Sequence, residues 1–252
     1  MSEWQFIEYG EEPVFKPGVR VVGINMSNPP WRHLVPEGVR LITTADVPSH
    51  KLVNVRPTIE HAWGLIMALH RRLLPAASDA FGDRNDFVAP YQLFGRSLGI
   101  IGAGRIGEGC ATIAGALGMR VMRYDPPKFK QTNSQPIVAH SDVLLVSCTL
   151  NETSRGLICK HFLRHVRPDA LLVSIAPHEV TVVQDVITEL RSGILRGAAF
   201  DDWPQSVLPD YKLANAGKLL ITPHIGGSTI DARASTRCAV IETMQAWLRE
   251  HP

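Results

Sequence analysis

The sequence has no excess of charge of either sign and no long hydrophobic run. Its 26 lysine and arginine residues nearly balance 24 aspartate and glutamate residues, so the net charge is +2. A balanced surface gives no general attraction to nucleic acid or to an anionic membrane. No apolar stretch approaches the roughly 20 residues needed to span a bilayer. The expected partner is therefore a small-molecule substrate, with no nucleic acid and no membrane.

Cysteine is also scarce. The four cysteines, whose spacing matches neither a CxxC pair nor a metal-ligand pattern, are Cys110, Cys148, Cys159 and Cys238. Cys110 and Cys148 fall inside predicted core elements, so we expect buried, reduced thiols. The first four residues, Met-Ser-Glu-Trp, do not resemble a secretory signal. Both observations predict a cytoplasmic protein.

From residue 97 onward, apolar runs of strand type alternate with segments of helical periodicity. The predicted strands are 98–102, 119–124, 143–148, 170–175, 197–200 and 219–222. This alternation predicts an α/β fold, a doubly wound parallel sheet with helices on both faces. Ligands of such sheets bind beyond the carboxyl ends of the strands, so the chemistry is expected there.

The chain before this region contains fewer elements. Residues 1–19 include two prolines and are interpreted as a loosely ordered lead-in. The predicted strands that follow are 21–25, 39–43 and, as a third candidate, 52–55. Pro57 occupies a favourable first-turn position of a helix. A last helix is predicted over 229–249.

A glycine-rich turn follows the strand 98–102. Gly102, Gly104 and Gly107 are spaced as GxGxxG, and a helical segment comes next. The first glycine permits a tight turn, the second lets the backbone approach a pyrophosphate, and the third lets the helix lie close on the strand. The helix N-terminus offers N–H groups and a partial positive charge. The pattern predicts a dinucleotide site; the alternative is an ordinary turn of a βαβ unit.

Asp125, at the end of the next predicted strand, bears on which dinucleotide is bound. A carboxylate there accepts hydrogen bonds from the adenosine ribose hydroxyls and would repel a 2′-phosphate, which predicts NAD rather than NADP. Arg120 and Arg123 are close enough in sequence to leave NADP as an alternative. Asp125 could also be a simple turn residue before Pro126.

Several motifs occur in the order typical of one enzyme family. They are Gly95–Gly107, Tyr124–Pro126, Ser141–Val143, Arg155–Ile158, Gly197–Asp201 and Thr222–Thr229. Over about residues 57–250 the sequence resembles the D-isomer-specific 2-hydroxyacid dehydrogenases, which include phosphoglycerate and formate dehydrogenases. The resemblance implies a Rossmann domain, an NAD cofactor and an interdomain helix that includes residues 58–65.

The resemblance also implies further cofactor contacts. Backbone N–H groups of Arg105 and Ile106 would face the pyrophosphate, and Asp201 would bind the nicotinamide carboxamide. Thr149 stands where the family usually has a proline, and Ser154 where it has a threonine that touches the phosphates. The remaining implied contacts are Ile175, Ala176, His224 and Gly226.

The family's chemistry uses three side chains, and this sequence keeps one of them. A histidine passes the proton, an arginine holds the substrate carboxylate and keto oxygen, and a glutamate holds the histidine. His224 matches the histidine, but Pro177 stands where the arginine is expected. The glutamate position falls near Gln205 or Ser206, in a region without glutamate.

Other residues could take over the missing roles. Arg56 precedes the interdomain helix and is a candidate anchor for the substrate carboxylate; the alternative is a solvated arginine. His178, beside Pro177, is a second candidate polar group. Candidates to orient the histidine are Asp202, Asp210 and Gln205. Without such a partner, His224 would be a relic of structural value only.

The length of the N-terminal part limits the domain organisation. A compact lobe usually needs on the order of 100 residues, so residues 1–56 are interpreted as a reduced remnant of the substrate lobe. Residues 57–228 form the expected dinucleotide-binding domain, and residues 229–252 a C-terminal helix that packs back on the interdomain helix. The family dimerises through this helix and the segment after it. Apolar residues there predict a homodimer: Trp63, Ile66, Leu73, Leu74, Phe81, Phe87 and Tyr91.

Three functions stay open at this point. The first is an NAD-dependent oxidoreductase of the family with altered substrate recognition. The second is a non-catalytic NAD-binding protein, such as a pseudoenzyme, sensor or assembly subunit. The third keeps NAD tightly bound as a transient oxidant in an isomerase or lyase. The retained His224 favours the first.

Overall fold

In the part of the chain that the structure describes, the strands form two parallel sheets. The computed structural model describes residues 3–8, 11–24, 29, 31–52, 55–78, 89–131 and 133–252. The strands are β1 (Trp4–Ile7), β2 (Val21–Ile24), β3 (Arg40–Ile42), β4 (Ser97–Ile101), β5 (Arg120–Tyr124), β6 (Val143–Val146), β7 (Ala170–Ser174), β8 (Leu195–Phe200) and β9 (Leu219–Ile221). By its contacts the chain divides into a first unit, residues 1–57 with 227–252, and a second unit, residues 58–226.

The helices include every one that the sequence predicts and several short ones that it does not. They are α1 (Pro57–His70), α2 (Leu73–Ser78), α3 (Arg105–Ala116), α4 (Pro126–Phe129), α5 (Gln135–His140), α6 (Lys160–Leu163), α7 (Val183–Ser192), α8 (Tyr211–Asn215) and α9 (Ile230–Glu250). The unpredicted helices are α2, α4, α5 and α8, each of six residues or fewer. Within the described residues even α9, with 21 residues, lacks the apolar character that a membrane crossing requires.

The sheet of the second unit has the strand order β5-β4-β6-β7-β8-β9. The chain passes from β4 outward to β5 and then returns to the other side of β4 for β6. The carboxyl ends of β4 and β6 therefore lie side by side at a topological switch point, where ligands of such sheets bind. The predicted doubly wound α/β fold is confirmed.

Strand β6 shows why this sheet needs helices on both faces. All residues of Val143–Val146 are buried, and successive side chains point to opposite faces. Leu144 and Val146 join an apolar cluster with residues of α5, α6 and α7, whereas Val143 and Leu145 join a second cluster with residues of α1 and α3. A continuous apolar strand is stable only when both of its faces are covered.

The sheet of the first unit has the order β1-β2-β3. The interpretation of residues 1–19 as a loose lead-in is wrong for Trp4–Ile7, which pairs with β2; the two prolines come after this strand. The strand candidate 52–55 is wrong for Leu52, which ends a 3-10 helix that begins at Ser49. Asn25, Val53 and Asn54, which also belong to predicted strands, lie outside the described residues.

Helix α9 covers one face of this three-stranded sheet. Val240 and Met244 pack in one apolar cluster with Val21 of β2, and a side chain on Gly23 would collide with Met244. The expected packing of this helix on the interdomain helix stays a prediction. All four residues of β2 are buried, so this strand needs a cover on each face. The C-terminal segment therefore groups with the N-terminal strands.

Two of the four cysteines, Cys110 and Cys148, are unreactive thiols. All four are free of disulfides; Cys110 is buried and Cys148 is half-buried. Burial raises the pKa of Cys110 to about 12. Burial, with a smaller effect of the nearby Asp125 charge, raises the pKa of Cys148 to about 11. Thiols with such pKa values stay protonated at neutral pH and are poor nucleophiles.

The apolar segment predicted to form a dimer surface is exposed only in part. Trp63 and Ile66 of α1 are buried in the core of the second unit, so they are not available to a partner. Phe81 and Phe87 lie outside the described residues. The large apolar side chains of this segment that are exposed are Leu73, Leu74, Tyr91 and Phe94.

His70, at the end of α1, is a buried ionisable side chain with 2% of its surface exposed. Its Nδ1 atom lies 3.2 Å from Nη2 of Arg196. Burial and, next, the Arg196 charge lower the pKa of His70. Among the described residues its Nε2 atom is buried and has no hydrogen-bond partner. Folding therefore favours the neutral ring.

This histidine makes the stability of the protein depend on pH. In the unfolded chain this histidine takes up a proton below about pH 6.5, whereas the folded ring resists protonation. The contribution of the neutral ring to the free energy of unfolding is therefore complete above that pH. It is lost as the pH falls through the pKa of the folded state. We expect the unfolding free energy to fall in this range by at most about 1.4 kcal/mol per pH unit on its account. Urea unfolding of the wild type and His70→Gln between pH 7.5 and pH 5, roughly the window of a histidine, measures it.

The difference in unfolding free energy between wild type and His70→Gln should shrink as the pH falls. His161→Gln, at an exposed histidine of α6, is the matched control and should keep the pH dependence of the wild type. A difference for His70→Gln that does not change with pH would contradict the prediction.

Candidate functional site

The glycine loop lies at the switch point of the sheet. Gly102 follows β4 with φ of +95°, a left-handed conformation that favours glycine. A side chain there would also collide with the backbone of Cys148, in the segment after β6. The Gly102 N–H donates to the carbonyl of Tyr124 at 2.8 Å, and its carbonyl accepts from the Ser147 hydroxyl at 2.7 Å. These bonds tie the loop to both neighbouring strand ends.

The N-terminus of α3 begins directly after this loop. Gly104 is the N-cap residue, and among the described residues no side chain caps this end. A Cβ atom on Gly104 would meet no atom within 4 Å, so this side of the backbone is open. A Cβ atom on Gly107 would overlap the carbonyl oxygen of Gly102, so the helix lies directly on the loop. An uncapped helix start with an open backbone fits a pyrophosphate, and Arg105 and Ile106 are its first two residues.

Asp125 lies at the edge of the same loop, directly after β5. Its Oδ2 atom accepts a hydrogen bond from the Ala103 N–H at 2.9 Å, and Oδ1 accepts from the Lys128 N–H at 3.3 Å. The carboxylate thus caps α4 and also braces the glycine loop. This position beside the loop fits the predicted contact with a ribose, and that contact stays a prediction.

The cations nearest to Asp125 in the sequence are already paired. Glu108 of α3 accepts from Nε of Arg123 at 3.1 Å and from Nζ of Lys128 at 3.0 Å. Although burial works in the opposite direction, the hydrogen bonds and charges of Lys128 and Arg123 hold the pKa of Glu108 below its ordinary value. A carboxylate that occupies both cations leaves less positive charge for a 2′-phosphate, which favours NAD. The sequence analysis did not identify Glu108 or Lys128.

A cavity of about 160 Å³ opens beside Tyr124, the last residue of β5. Gln135 of α5 and Phe162 of α6 line other parts of it. It is too small for a whole dinucleotide, and its lining mixes apolar and polar side chains, including His161 and His165.

The turn after β6 contains two of the predicted cofactor contacts. The Ser154 hydroxyl is buried and donates to the carbonyl of Thr149 at 2.7 Å, while the Asn151 N–H donates to it at 2.8 Å. In this structure the hydroxyl therefore shapes the turn. The phosphate contact of Ser154 and the contact of Thr149 stay predictions, as do those of Ile175 and Ala176 at the carboxyl end of β7.

Asp201, directly after β8, organises the turn that follows β9. Its Oδ1 atom accepts from the Thr222 hydroxyl at 2.7 Å and the Ile225 N–H at 2.9 Å, and its Oδ2 atom accepts from the Gly226 N–H at 2.8 Å. The Nε2 atom of His61 on α1 lies 3.1 Å from Oδ1. The carboxylate is buried and bound within the protein. The predicted contact of Asp201 with the carboxamide stays a prediction. The sequence analysis did not identify His61, which the sequence marks only as a polar residue early in a helix.

His224 occupies the middle of this turn. Its backbone has φ of +54°, which is uncommon for a residue other than glycine, and 71% of its side chain is exposed. Strained backbone of this kind is concentrated at functional sites. The Nδ1 atom lies 3.8 Å from Oδ1 of Asp202. The structure therefore presents the predicted acid–base histidine to solvent beside a carboxylate.

Asp202 also holds the other histidine that the sequence analysis proposed. Pro177 begins a short 3-10 helix, His178–Val180, after β7. The Oδ2 atom of Asp202 lies 3.0 Å from both the backbone nitrogen and Nδ1 of His178. Glu179 is nearby, with Oε2 at 3.6 Å from the same Nδ1 atom.

The other candidate partners are elsewhere. Asp210 caps α8, accepting from the N–H groups of Lys212 and Leu213, and pairs with Arg191 at 2.7 Å, so its candidacy to orient His224 is wrong. Gln205 is exposed. Arg56 is exposed in the first unit, directly before α1, and its role as a substrate anchor stays a prediction.

These features define a class of protein. A doubly wound sheet with a GxGxxG loop at its switch point and an acid after the next strand is a dinucleotide-binding domain. Residues 63–226 match the family model of the D-isomer specific 2-hydroxyacid dehydrogenases, NAD binding domain. The chain belongs to this family, and these residues are its NAD-binding domain.

Individual relatives agree with this family. The glyoxylate reductase of Pyrococcus furiosus is 26% identical over 232 residues, which are 84% of this chain and 67% of the relative. The formate dehydrogenase of Chaetomium thermophilum is 31% identical over 214 residues, 76% of this chain and 57% of the relative. The apo-structure of D-lactate dehydrogenase from Escherichia coli has a TM-score of 0.79 at 18% identity and covers 98% of this chain and 83% of that one, which shows the fold alone. The chain thus spans about 57% to 67% of the length of these two sequence relatives.

Two glycines of α3 provide a test of the loop. Gly107→Ala places a methyl group against the Gly102 carbonyl, whereas Gly115→Ala places it in open space. We expect Gly115→Ala to stabilise the protein by about 0.5–1 kcal/mol and to leave NAD affinity unchanged. Gly107→Ala should destabilise it by about 1–3 kcal/mol and weaken NAD binding. Thermal unfolding and calorimetric titration with NAD measure both effects, and equal NAD affinity of the two variants would contradict this reading of the loop.

Proposed function

We propose that the protein is an NAD-dependent oxidoreductase that interconverts a small 2-keto acid and the corresponding 2-hydroxy acid. The observation that carries the proposal is His224, held in a left-handed backbone conformation beside Asp202. It lies on the carboxyl edge of the sheet that also carries the glycine loop. The name of a sequence relative, a glyoxylate reductase, supports an acid of this class.

Different residues of the chain bind the cofactor, transfer the proton and position the catalytic turn. NAD, when bound, supplies or accepts the hydride. The loop Gly102–Gly107 and the start of α3 would hold its pyrophosphate, and Asp125 its ribose. His224 gives a proton to the keto oxygen when the acid is reduced and takes it from the hydroxyl when the acid is oxidised. Asp201 keeps the turn that carries His224 in place.

A homodimer is part of the proposal. Leu73, Leu74, Tyr91 and Phe94 are all exposed, with Phe94 at 70%, and they fall within one segment after α1. Exposed apolar side chains concentrated in one segment are typical of an interaction surface. We place the protein in the cytoplasm, where its four free cysteines would stay reduced.

The catalytic proposal predicts a loss of turnover without a loss of cofactor. In His224→Asn the ring that moves the proton is gone, while the hydrogen bonds of Asp201 to the turn stay. We expect the reduction of glyoxylate or pyruvate, followed by the loss of NADH absorbance, to fall about 100-fold or more. The calorimetric affinity for NADH should stay near that of the wild type.

His140→Gln, at an exposed histidine that ends α5, is the control for this variant and should leave both measurements unchanged. Full turnover by His224→Asn would contradict the assigned role. If the wild type binds NADH but reduces none of a panel of 2-keto acids, the non-catalytic alternative is supported instead.

The dimer is tested by a charge placed on its proposed surface. Leu74→Glu adds a charge at a side chain that is 53% exposed, so the fold should tolerate it, whereas burial of this charge in a dimer would be costly. We expect sedimentation of the wild type as a dimer and of Leu74→Glu as a monomer at micromolar concentration. Leu208→Glu, at another exposed leucine of the second unit, should stay a dimer. A monomeric wild type would overturn this part of the proposal.

A further inference from the structure

Three strand ends that are neighbours in the sheet bring together two histidines and one carboxylate. His178 follows β7, Asp202 follows β8, and His224 follows β9, and β7, β8 and β9 are adjacent. All three residues belong to the second unit, so their distances are defined within one compact body. None of the three fills the position of the arginine or the glutamate that the family uses.

Asp202 is shared between the two imidazole rings. The backbone nitrogen and the Nδ1 atom of His178 both lie 3.0 Å from Oδ2 of Asp202. Its Oδ1 atom lies toward His224, 3.8 Å from Nδ1. The contact at 3.0 Å is a hydrogen bond that holds a proton on Nδ1 of His178 and leaves its Nε2 atom, on the opposite side of the ring, for a ligand. The separation of 3.8 Å from His224 is an ion-pair distance, longer than a hydrogen bond.

We propose that this cluster replaces the missing arginine and glutamate. Asp202 is the positioning residue for His224, and His178, as an imidazolium paired with Asp202, binds the carboxylate group of the substrate through Nε2–H. The inference rests on the proposed function and names the substrate-binding group of that site.

The chemistry of the substrate requires such a group. A 2-keto acid brings a negative charge into the site, and a charge is bound well only where a cation or several hydrogen-bond donors meet it. Pro177, at the expected arginine position, has neither charge nor an N–H group. His178 is the next residue, and Asp202 balances its charge. One imidazolium gives a single hydrogen bond where arginine gives two, so weaker binding of the acid is expected than at a bidentate site.

Kinetics of paired variants separate the two roles. His178→Gln should raise KM for glyoxylate about 10- to 100-fold, the cost of a charge-assisted hydrogen bond, and change kcat much less. His178→Arg should restore a low KM, because it returns a cation. Asp202→Asn should lower kcat about 10- to 100-fold, as expected when the partner of a working histidine is lost, and also raise KM. Asp202→Glu should recover part of kcat.

Matched controls are available in the same chain. His140→Gln and Asp231→Asn change an exposed histidine and an exposed aspartate outside the cluster, and both should behave as the wild type. Thermal unfolding of every variant shows whether it is folded. If His178→Gln is folded and keeps the KM of the wild type, the inference is wrong.

A binding experiment gives an answer that does not depend on turnover. Oxalate, an unreactive dicarboxylate, is titrated calorimetrically into the NADH-loaded wild type and into His178→Gln and His178→Arg. We expect affinity to fall in His178→Gln and to return in His178→Arg. Equal affinity in all three overturns the inference even if the protein reduces keto acids. Loss of oxalate binding in His178→Gln supports it even if no acid is reduced, in which case the proposed function alone fails.

Some of these side chains could instead bind a metal ion, and a separate titration tests this. Ligand atoms of His178, Glu179 and Asp202 lie within 4.8 Å of one another, close enough to share a metal ion. Titration of the protein with Zn²⁺ alone and assay after dialysis against a chelator test this. Activity that is lost on chelation and restored by Zn²⁺ would overturn the assignment of His178 as an anion-binding imidazolium.

Discussion

The buried carboxylate of Asp201 is the interaction on which the catalytic side of the site depends. A buried charge is tolerated only when its oxygens are satisfied by hydrogen bonds. Here the hydroxyl of Thr222, the N–H groups of Ile225 and Gly226, and the ring of His61 surround it. These bonds fix the backbone conformation of the turn after β9. In this conformation His224 lies at the surface with a left-handed backbone. Without this carboxylate, the N–H groups of Ile225 and Gly226 would lose their acceptor.

The nucleotide side depends on a different constraint, the close approach of backbone segments. Gly102 touches the backbone of Cys148, and Gly107 touches the carbonyl of Gly102, so two glycines replace side chains that would separate β4, β6 and α3. Both constraints act at the carboxyl edge of one sheet. The rigid strands therefore fix the position of the glycine loop relative to His224. Both follow a strand within a few residues, so no long flexible connection lies between strand and site.

The parts that could be predicted from the sequence are those encoded locally. The pattern around Gly102, Gly104 and Gly107 lies within ten residues, and it predicts the strand, the turn and the helix together. Strand β1 was missed because it is short and its partner β2 is distant in sequence, and the cover supplied by α9 depends on contacts across almost the whole chain. The choice of Asp202 over Asp210 also required the fold, because which carboxylate reaches His224 depends on the order of β8 and β9.

Asp202 shows how a site of this family can lose two charged residues and keep the geometry for proton transfer. The family's glutamate would stand near Gln205 or Ser206, in the loop after β8, whereas Asp202 is the second residue after β8. Its Oδ1 atom lies 3.8 Å from Nδ1 of His224, within ion-pair distance. Because its second oxygen holds His178 beside Pro177, one carboxylate now connects the two strand ends at which the family places separate residues. A change at this single position should therefore affect both imidazoles together, which two independent residues would not allow.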